Sequence, residues 1–344
     1  MFLSLILVTS VGVQGHCAGA LPERFVVAWW NLENLFDTVN DPDPLPQFGT
    51  DDEFLPEGAR QWTDDRYWKK LENLARAIRS MNNGSGPDVM GVCEVEHEHI
   101  LNDLIRKYLP DLGYATAYHE SPDARGIDIG FLYRRDLLKV QSTGFRTVVL
   151  PPDEPPTRDV FYVAFETGWG PLVCIGNHWP SRRGGAAESE FRRVSAARTC
   201  RSLVDSVLST SPEADIVIVG DFNDEPWDAS VASTLRAVNN RDSVTTTGST
   251  LLYQCMSHTG TDEGTYNFHG TWNMLDQCIL SRGLLDSAGF SYDSVEIYKP
   301  TFLIEQGGRY AGYPFPTYGG QKYLGGYSDH FPLLLFLHGY EPSR

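Results

Sequence analysis

Paired cysteines, surplus cations and a membrane-length apolar run are all missing from this chain, and each absence removes a class of function. The 344 residues hold six cysteines, none in a CxxC pair, so neither a zinc ribbon nor a thioredoxin-like motif is supported. Lys and Arg number 28 against 45 Asp and Glu, a formal charge of −17, which argues against holding nucleic acid by net charge alone. An acidic enzyme can still act on a polyanion where metal ions and a local basic patch offset the repulsion. Residues 1–20 contain no Asp, Glu, Lys or Arg. Within them, residues 1–13 form an apolar run too short to span a bilayer comfortably, and Ala18-Gly19-Ala20 suits signal-peptidase cleavage. The expectation is a signal peptide over residues 1–20, a single domain over 21–344, and a secreted or periplasmic product with no transmembrane segment. A buried N-terminal strand is the alternative, because no Lys or Arg precedes the run. A lipoprotein linkage at Cys17 is disfavoured by the bulk of His16. Of the other cysteines, Cys93, Cys174 and Cys278 lie in apolar strand-like runs, where buried thiols are the usual case. A disulfide stays open, and the sequence names none.

What is present is a series of short apolar runs rich in β-branched and aromatic residues. They cover residues 25–30, 89–93, 115–119, 127–133, 160–165, 172–177, 216–221, 275–280 and 331–336. Helical spacing is rarer. Residues 64–81 place Trp68, Leu71, Leu74, Ala75 and Ile78 on one face, and residues 188–209 do the same with Phe191, Val194, Ala197, Cys200 and Leu203. A shorter helix is expected over 97–108. Many strands with few helices between them point to a layered α/β protein, two packed sheets with helices outside. No repeat or linker divides the chain. Two loops are long, 38–63 with its Asp and Pro and 299–327 with its Gly, Tyr and Pro, and the second reads as an ordered rim beside a site.

Chemistry gathers where the apolar runs stop. The run 216–221 ends in Asp221 and, two residues on, Asn223, so period-two alternation puts both on one side of an exposed strand end. A carboxylate there can orient or deprotonate a water, and the amide can hold that water or a phosphate oxygen. Asn31 and Glu33 follow the first run, and Glu94 follows the second. Oxygen ligands at three strand ends suit a hard cation, Mg²⁺ with Mn²⁺ or Ca²⁺ as alternatives, over Zn²⁺. His178 and His330 sit in similar settings beside acids, where a cation can hold charge developing on phosphate oxygens.

Seven segments carry a specific resemblance: WNLENLF (30–36), VCE (92–94), YHESPDARGIDIGFLYR (118–134), NHWPS (177–181), GDFND (220–224), LDQCILS (275–281) and YSDHFP (327–332). In this order they resemble the successive motifs of the endonuclease/exonuclease/phosphatase superfamily. That superfamily includes pancreatic deoxyribonuclease, abasic-site endonucleases, neutral sphingomyelinases and inositol-polyphosphate phosphatases. The resemblance implies a four-layer α/β sandwich, two packed mixed β-sheets flanked by helices, with the site at one end. It further implies Glu94 as metal-binding glutamate, Asn31 contacting metal or phosphate, and Asp329 as a further metal-side acid. Asp221 would activate water beside Asn223, Asp276 would orient His330, and Glu120 would pair with His178. Departures narrow the branch. Abasic-site endonucleases carry tyrosine where His178 stands, inositol-polyphosphate phosphatases differ around Asp276, and Glu33 stands where many relatives have Asp.

Arg182 and Arg183 follow His178 closely enough to reach the same mouth, where guanidinium grips phosphate through two bonds. Arg198 and Arg201 read as an ordinary charged helix face. The tyrosines Tyr310, Tyr313, Tyr318 and Tyr323 are equally compatible with stacking on bases and with packing. The resulting expectation is a metal-dependent phosphodiester hydrolase, an exported nuclease acting on DNA or RNA, with no protein partner inferred. The alternatives are a sphingomyelinase-like phospholipid phosphodiesterase, a small-substrate phosphatase, and a non-catalytic binding protein on the same scaffold.

Overall fold

Strand alternation, applied to uninterrupted apolar runs, demands that both faces of a strand be covered, and this chain covers both. The computed structural model describes residues 24–41, 51–256 and 262–340. The expected signal peptide and part of the loop 38–63 lie outside the described residues. In β1 (Arg24–Leu35), Val26, Ala28 and Trp30 pack toward helices, while Phe25, Val27 and Trp29 pack between two sheets. Trp29 and Trp30 are adjacent, wholly buried and committed to different layers. Truncating either to alanine is expected to cost about 3–5 kcal/mol.

Strands are numbered along the chain. The first sheet runs β14 (Phe290–Ile297), β17 (Leu333–Gly339), β1, β2 (Val89–Val95), β4 (Asp128–Arg134) and β3 (Tyr114–His119). The second runs β5 (Leu138–Arg146), β6 (Val160–Thr167), β7 (Gly170–His178), β8 (Ile216–Asp221), β13 (Asp276–Leu280), β10 (Leu252–Gln254) and β9 (Ala237–Val238). Both sheets are mixed, since β1–β2 and β7–β8 are parallel while β1–β17 and β8–β13 are antiparallel. Two small hairpins stand apart, β11 (Tyr266–Phe268) with β12 (Thr271–Asn273), and β15 (Tyr318–Gly319) with β16 (Lys322–Tyr323).

Helices α1 (Asp64–Ser80) and α2 (Glu98–Tyr108) cover the first sheet through Leu71, Leu74, Ile78, Leu101 and Leu104. Helix α3 (Glu190–Thr210) covers the second through Ala196, Cys200, Leu203 and Val207. The order helix, sheet, sheet, helix is the expected four-layer sandwich.

Several local expectations need correction. Phe191 is not on the buried face of α3 but 41% exposed, because the helix buries Arg193 in that turn, held by Asp224 at 2.6 Å. Arg201 is no surface cation either. It is buried and donates to the Thr250 carbonyl, joining α3 to the loop before β10. In the tyrosine-rich loop Tyr318 and Tyr327 are buried, whereas Tyr310 is 54% exposed. Two groups pin the loop: Glu33 accepts the amides of Thr317 and Tyr318, and buried Lys70 donates to Thr317 and to the Tyr327 carbonyl. Cys93, Cys174, Cys200, Cys255 and Cys278 are all buried free thiols.

Candidate active site

The site is built at one end of the sandwich from side chains that continue the inter-sheet faces. Val217 and Val219 of β8 point between the sheets, and Asp221 follows them on the same face. Register then places its neighbours. Asp276 of β13 lies opposite Asp221, and His178 of β7 lies beside it, so the second sheet presents Asp276, Asp221 and His178 as one row. From the first sheet, Asn31 continues the Trp29 face and donates to Asp221 at 3.0 Å and to Glu94 at 3.3 Å. Backbone strain completes the set. Alternation alone would turn Glu94 toward the helices, but its φ of +61° and the register break between Cys93 and Val95 aim it inward. Asn223 has φ +50°; its amide N–H donates to Asp221 and its side chain donates to the Trp179 carbonyl. Such left-handed residues cost about 1–3 kcal/mol each and persist where the surroundings over-determine them.

His330 enters from the loop before β17. Its Nδ1 lies 2.6 Å from Asp276, which also accepts the Trp29 indole N–H at 2.9 Å. Ser328 donates to the Asn31 carbonyl and accepts the His330 amide, and Tyr266 stacks on the imidazole at 4.7 Å. Burial opposes charge on His330, yet Asp276, through charge and hydrogen bond, and then Asp329 and Asp221 lift it well above the usual histidine value. His178 moves the other way, pushed well below it by burial and by Arg158, Arg125 and His330. Asp221 is raised to about 6 by burial and by Asp276. The two histidines therefore favour opposite protonation states, and both Nε2 atoms lie 3.9 Å from Asp221.

Oxygen ligands gather beside these groups. Glu94 and Asp329 line the cavity together, and Asp329 is pushed up to about 7, first by burial and then by Glu33 and Glu94 against the pull of His330. A buried carboxyl crowded by further acids is relieved by a hard divalent cation, so the donor set fits Mg²⁺. Glu94 and Asp329 would hold it. Asn31 lies beside both Glu94 and Asp221. Its carbonyl accepts the Glu33 amide at 2.9 Å while its NH₂ bridges the two carboxylates, so here it braces the acids. Glu33 is occupied by the 317–318 amides. Asp221, Asp276 and His330 also converge within 4.8 Å. His330 and Asp276 face one another there, which makes this trio a proton-handling group.

A cavity of about 750 Å³ opens from these residues. Arg125, Arg158, Arg182, Arg183 and Arg192 line it, with Tyr266 and Phe268. Arg183 is exposed, as expected of a phosphate-gripping cation. Arg182 instead donates to the Asn223 carbonyl at 2.8 Å and to Asn273 and Asp228, so it braces the turn that carries Asn223. Glu120 does not meet His178. It lies past the end of the edge strand β3, and its carboxylate faces His97 at 3.4 Å. The aromatics beside the reacting groups are Tyr266 and the 56%-exposed Phe268 of the β11–β12 hairpin, not the loop tyrosines. The aromatic pair flanking His269-Gly270 was the available hairpin signal. Arg125 and Arg158 were also missed.

The pattern of the endonuclease/exonuclease/phosphatase family matches residues 26–339. Solved structures share the fold at low identity. A Bacteroides thetaiotaomicron mannosyl-6-phosphatase is 16% identical, with a TM-score of 0.57 over 91% of this chain and 99% of its own. The human Nocturnin catalytic domain, solved with a bound sulfate anion, is 14% identical, with 0.56 over 93% and 96%. TDP2 from D. rerio, complexed with single-strand DNA product, is 14% identical, with 0.55 over 92% and 100%. No curated protein matches the chain.

Proposed function

The chain belongs to the endonuclease/exonuclease/phosphatase family, and we propose that it is an exported, Mg²⁺-dependent phosphodiesterase that cleaves DNA or RNA. The family's hydrolases act on phosphoester bonds, and the narrower reading rests on one observation. The row Asp276–Asp221–His178, with His330 bound to Asp276, shares with the Glu94/Asp329 acids a cavity that Arg125, Arg183 and Phe268 also line. Cations and an exposed aromatic beyond the reacting groups suit a substrate longer than one phosphate. Export is supported by the uncharged apolar stretch and small-x-small pattern of residues 1–20.

Glu94 and Asp329 would hold Mg²⁺, which would supply Lewis-acid neutralisation of a phosphate oxygen. Asp221, held by Asn31 and by the Asn223 amide, orients the attacking water and takes its proton. His330, kept cationic by Asp276, donates a hydrogen bond to the phosphoryl oxygens as negative charge grows. His178, whose Nε2 lies 3.9 Å from Asp221, relays the water's proton to the leaving oxygen. Arg183 grips a flanking phosphate, and Arg182 keeps Asn223 in place.

The test is cleavage of plasmid DNA, RNA and bis-p-nitrophenyl phosphate by the mature protein, with Mg²⁺ and with EDTA. Metal-dependent cutting of polymer supports the proposal. Turnover of the small diester without polymer cleavage transfers it to lipid or small phosphoesters. No turnover under any divalent metal favours a binding protein on this scaffold.

A further inference from the structure

Two buried polar atoms at the edge of the site make no hydrogen bond among the described residues, Nδ1 of His178 and Oδ1 of Asp159. Both residues are 4% exposed. Buried groups of this kind are ordinarily satisfied, and each exception calls for an explanation. Strand register supplies one. Strands β6 and β7 pair antiparallel, with Tyr162 opposite Ile175 and Phe161 opposite Gly176. Continuing that register by two residues sets Asp159 opposite His178. Phe161, Val163 and Phe165 point between the sheets, so alternation sends Asp159 to the side where His178 lies. The unpaired ring nitrogen and the unpaired carboxylate oxygen thus belong to cross-strand neighbours on one face.

We infer that Asp159 orients His178 for the reaction, accepting its Nδ1–H through one bridging water; the catalytic part of this rests on the phosphodiesterase reading of the site. With hydrogen fixed at Nδ1, the ring presents Nε2, which lies 3.7 Å from Glu94 and 3.9 Å from Asp221, to the reacting groups. The same logic holds His330, whose Nδ1 is bound by Asp276 while Nε2 faces Asp221. Each histidine then has its own carboxylate, and the row across the second sheet becomes Asp276, Asp221, His178, Asp159. The second oxygen of Asp159 is anchored from the other sheet by His119 Nε2 at 2.7 Å. His119 is itself stacked on Phe145 and Phe161, which keeps the carboxylate from swinging away. Arg158, next in sequence, donates to the His178 carbonyl at 3.1 Å and fixes the backbone between them. Asp159 acts through His178 and is a positioning residue.

The experiment combines nitrogen NMR with kinetics. Protein labelled with ¹⁵N-histidine, with the His178 signals assigned by their loss in His178→Gln, reports which ring nitrogen carries hydrogen. The expected result is a protonated Nδ1 in the wild type and its loss in Asp159→Ala. In the same variant kcat falls about tenfold or more at nearly unchanged KM, a typical share for one proton-transfer group. Adding Asp159→Ala to His178→Gln slows the enzyme no further. Should Asp159→Ala fail to fold, Asp159→Asn keeps the volume and still loses about tenfold in kcat, because an amide carries no charge to match the imidazolium. Hydrogen on Nε2 of His178 in the wild type overturns the inference. So does additivity with His178→Gln, or full turnover in Asp159→Asn. The spectrum is read without substrate, so a wrong substrate class leaves the hydrogen assignment standing.

Discussion

Replacing Asp276 by asparagine should disable the enzyme almost without changing its shape. Asp276 has 0% exposure and accepts two hydrogen bonds, from the Trp29 indole at 2.9 Å and from His330 Nδ1 at 2.6 Å. Asparagine offers one accepting oxygen and one donating NH₂. The indole can only donate, so it claims the oxygen or stands as an unsatisfied buried donor at a cost of about 1–3 kcal/mol. The NH₂ then faces His330, whose Nδ1 must give up its hydrogen and become the acceptor. The ring is left neutral in the opposite tautomer, and the cation beside the phosphoryl group is lost. Loss of an orienting carboxylate of this type reduces kcat by roughly 10²–10⁴-fold. At about 1.4 kcal/mol per decade this is about 3–5 kcal/mol of transition-state stabilisation. The assay is kcat and KM on bis-p-nitrophenyl phosphate with saturating Mg²⁺, beside a thermal melt of each protein. A variant that melts within a few degrees of wild type and turns over within about threefold of it would refute the role given to Asp276.

Three further outcomes follow from the same contacts. Magnesium should raise the wild-type melting temperature as its concentration increases, and Glu94→Gln should remove most of that rise, read by a thermal-shift titration without substrate. Arg183→Ala should raise KM for polymer several-fold at low salt and shallow its salt dependence, leaving kcat in place, whereas Arg182→Ala, which frees the Asn223 turn, should lower kcat; steady-state kinetics at two ionic strengths separate them. Far from the site, burial raises Asp215 from its ordinary 3.8 to about 7 while it accepts the Phe290 amide. Its stabilising contribution is therefore complete below about pH 4 and is lost as pH rises through about 7, up to about 4 kcal/mol for the full shift. Melting curves from pH 4 to 8 should accordingly fall less steeply in Asp215→Asn.

The layers were legible because the strands that build them are buried on both faces, and such strands read as continuous apolar runs. β8 (IVIVGD) and β17 (LLLFLHG) announce themselves in this way. Strands β5 and β14 stayed hidden because they are sheet edges. Their sequences, LKVQSTGFR and FSYDSVEI, leave alternate residues exposed and carry polar side chains within the run. Helix α3 was located, but its buried face was misjudged at Phe191, since an arginine neutralised by Asp224 displaced an aromatic from the core. Spacing rules count apolar residues and do not see a buried ion pair.

In the site, residue types at strand ends were legible and their partners were not. A run of valines and isoleucines ending in Asp221 points to a carboxylate at the sheet's edge whatever lies beside it. Glu94 reaches the site only because its backbone adopts φ +61°, a left-handed turn that alternation cannot foresee. Glu120 stands within a recognisable motif, and the family resemblance pairs it with His178, yet it faces His97 from the rim of the other sheet. The residue that register sets opposite His178 is Asp159, which belongs to none of the motifs. Partners on different strands are chosen by how the strands align, so one residue of slip between β6 and β7 would exchange Asp159 for a neighbour facing the other way. In this fold the partner of a histidine thus depends on a register set two and three residues away, by the pairing of Phe161 with Gly176 and of Tyr162 with Ile175 inside the core.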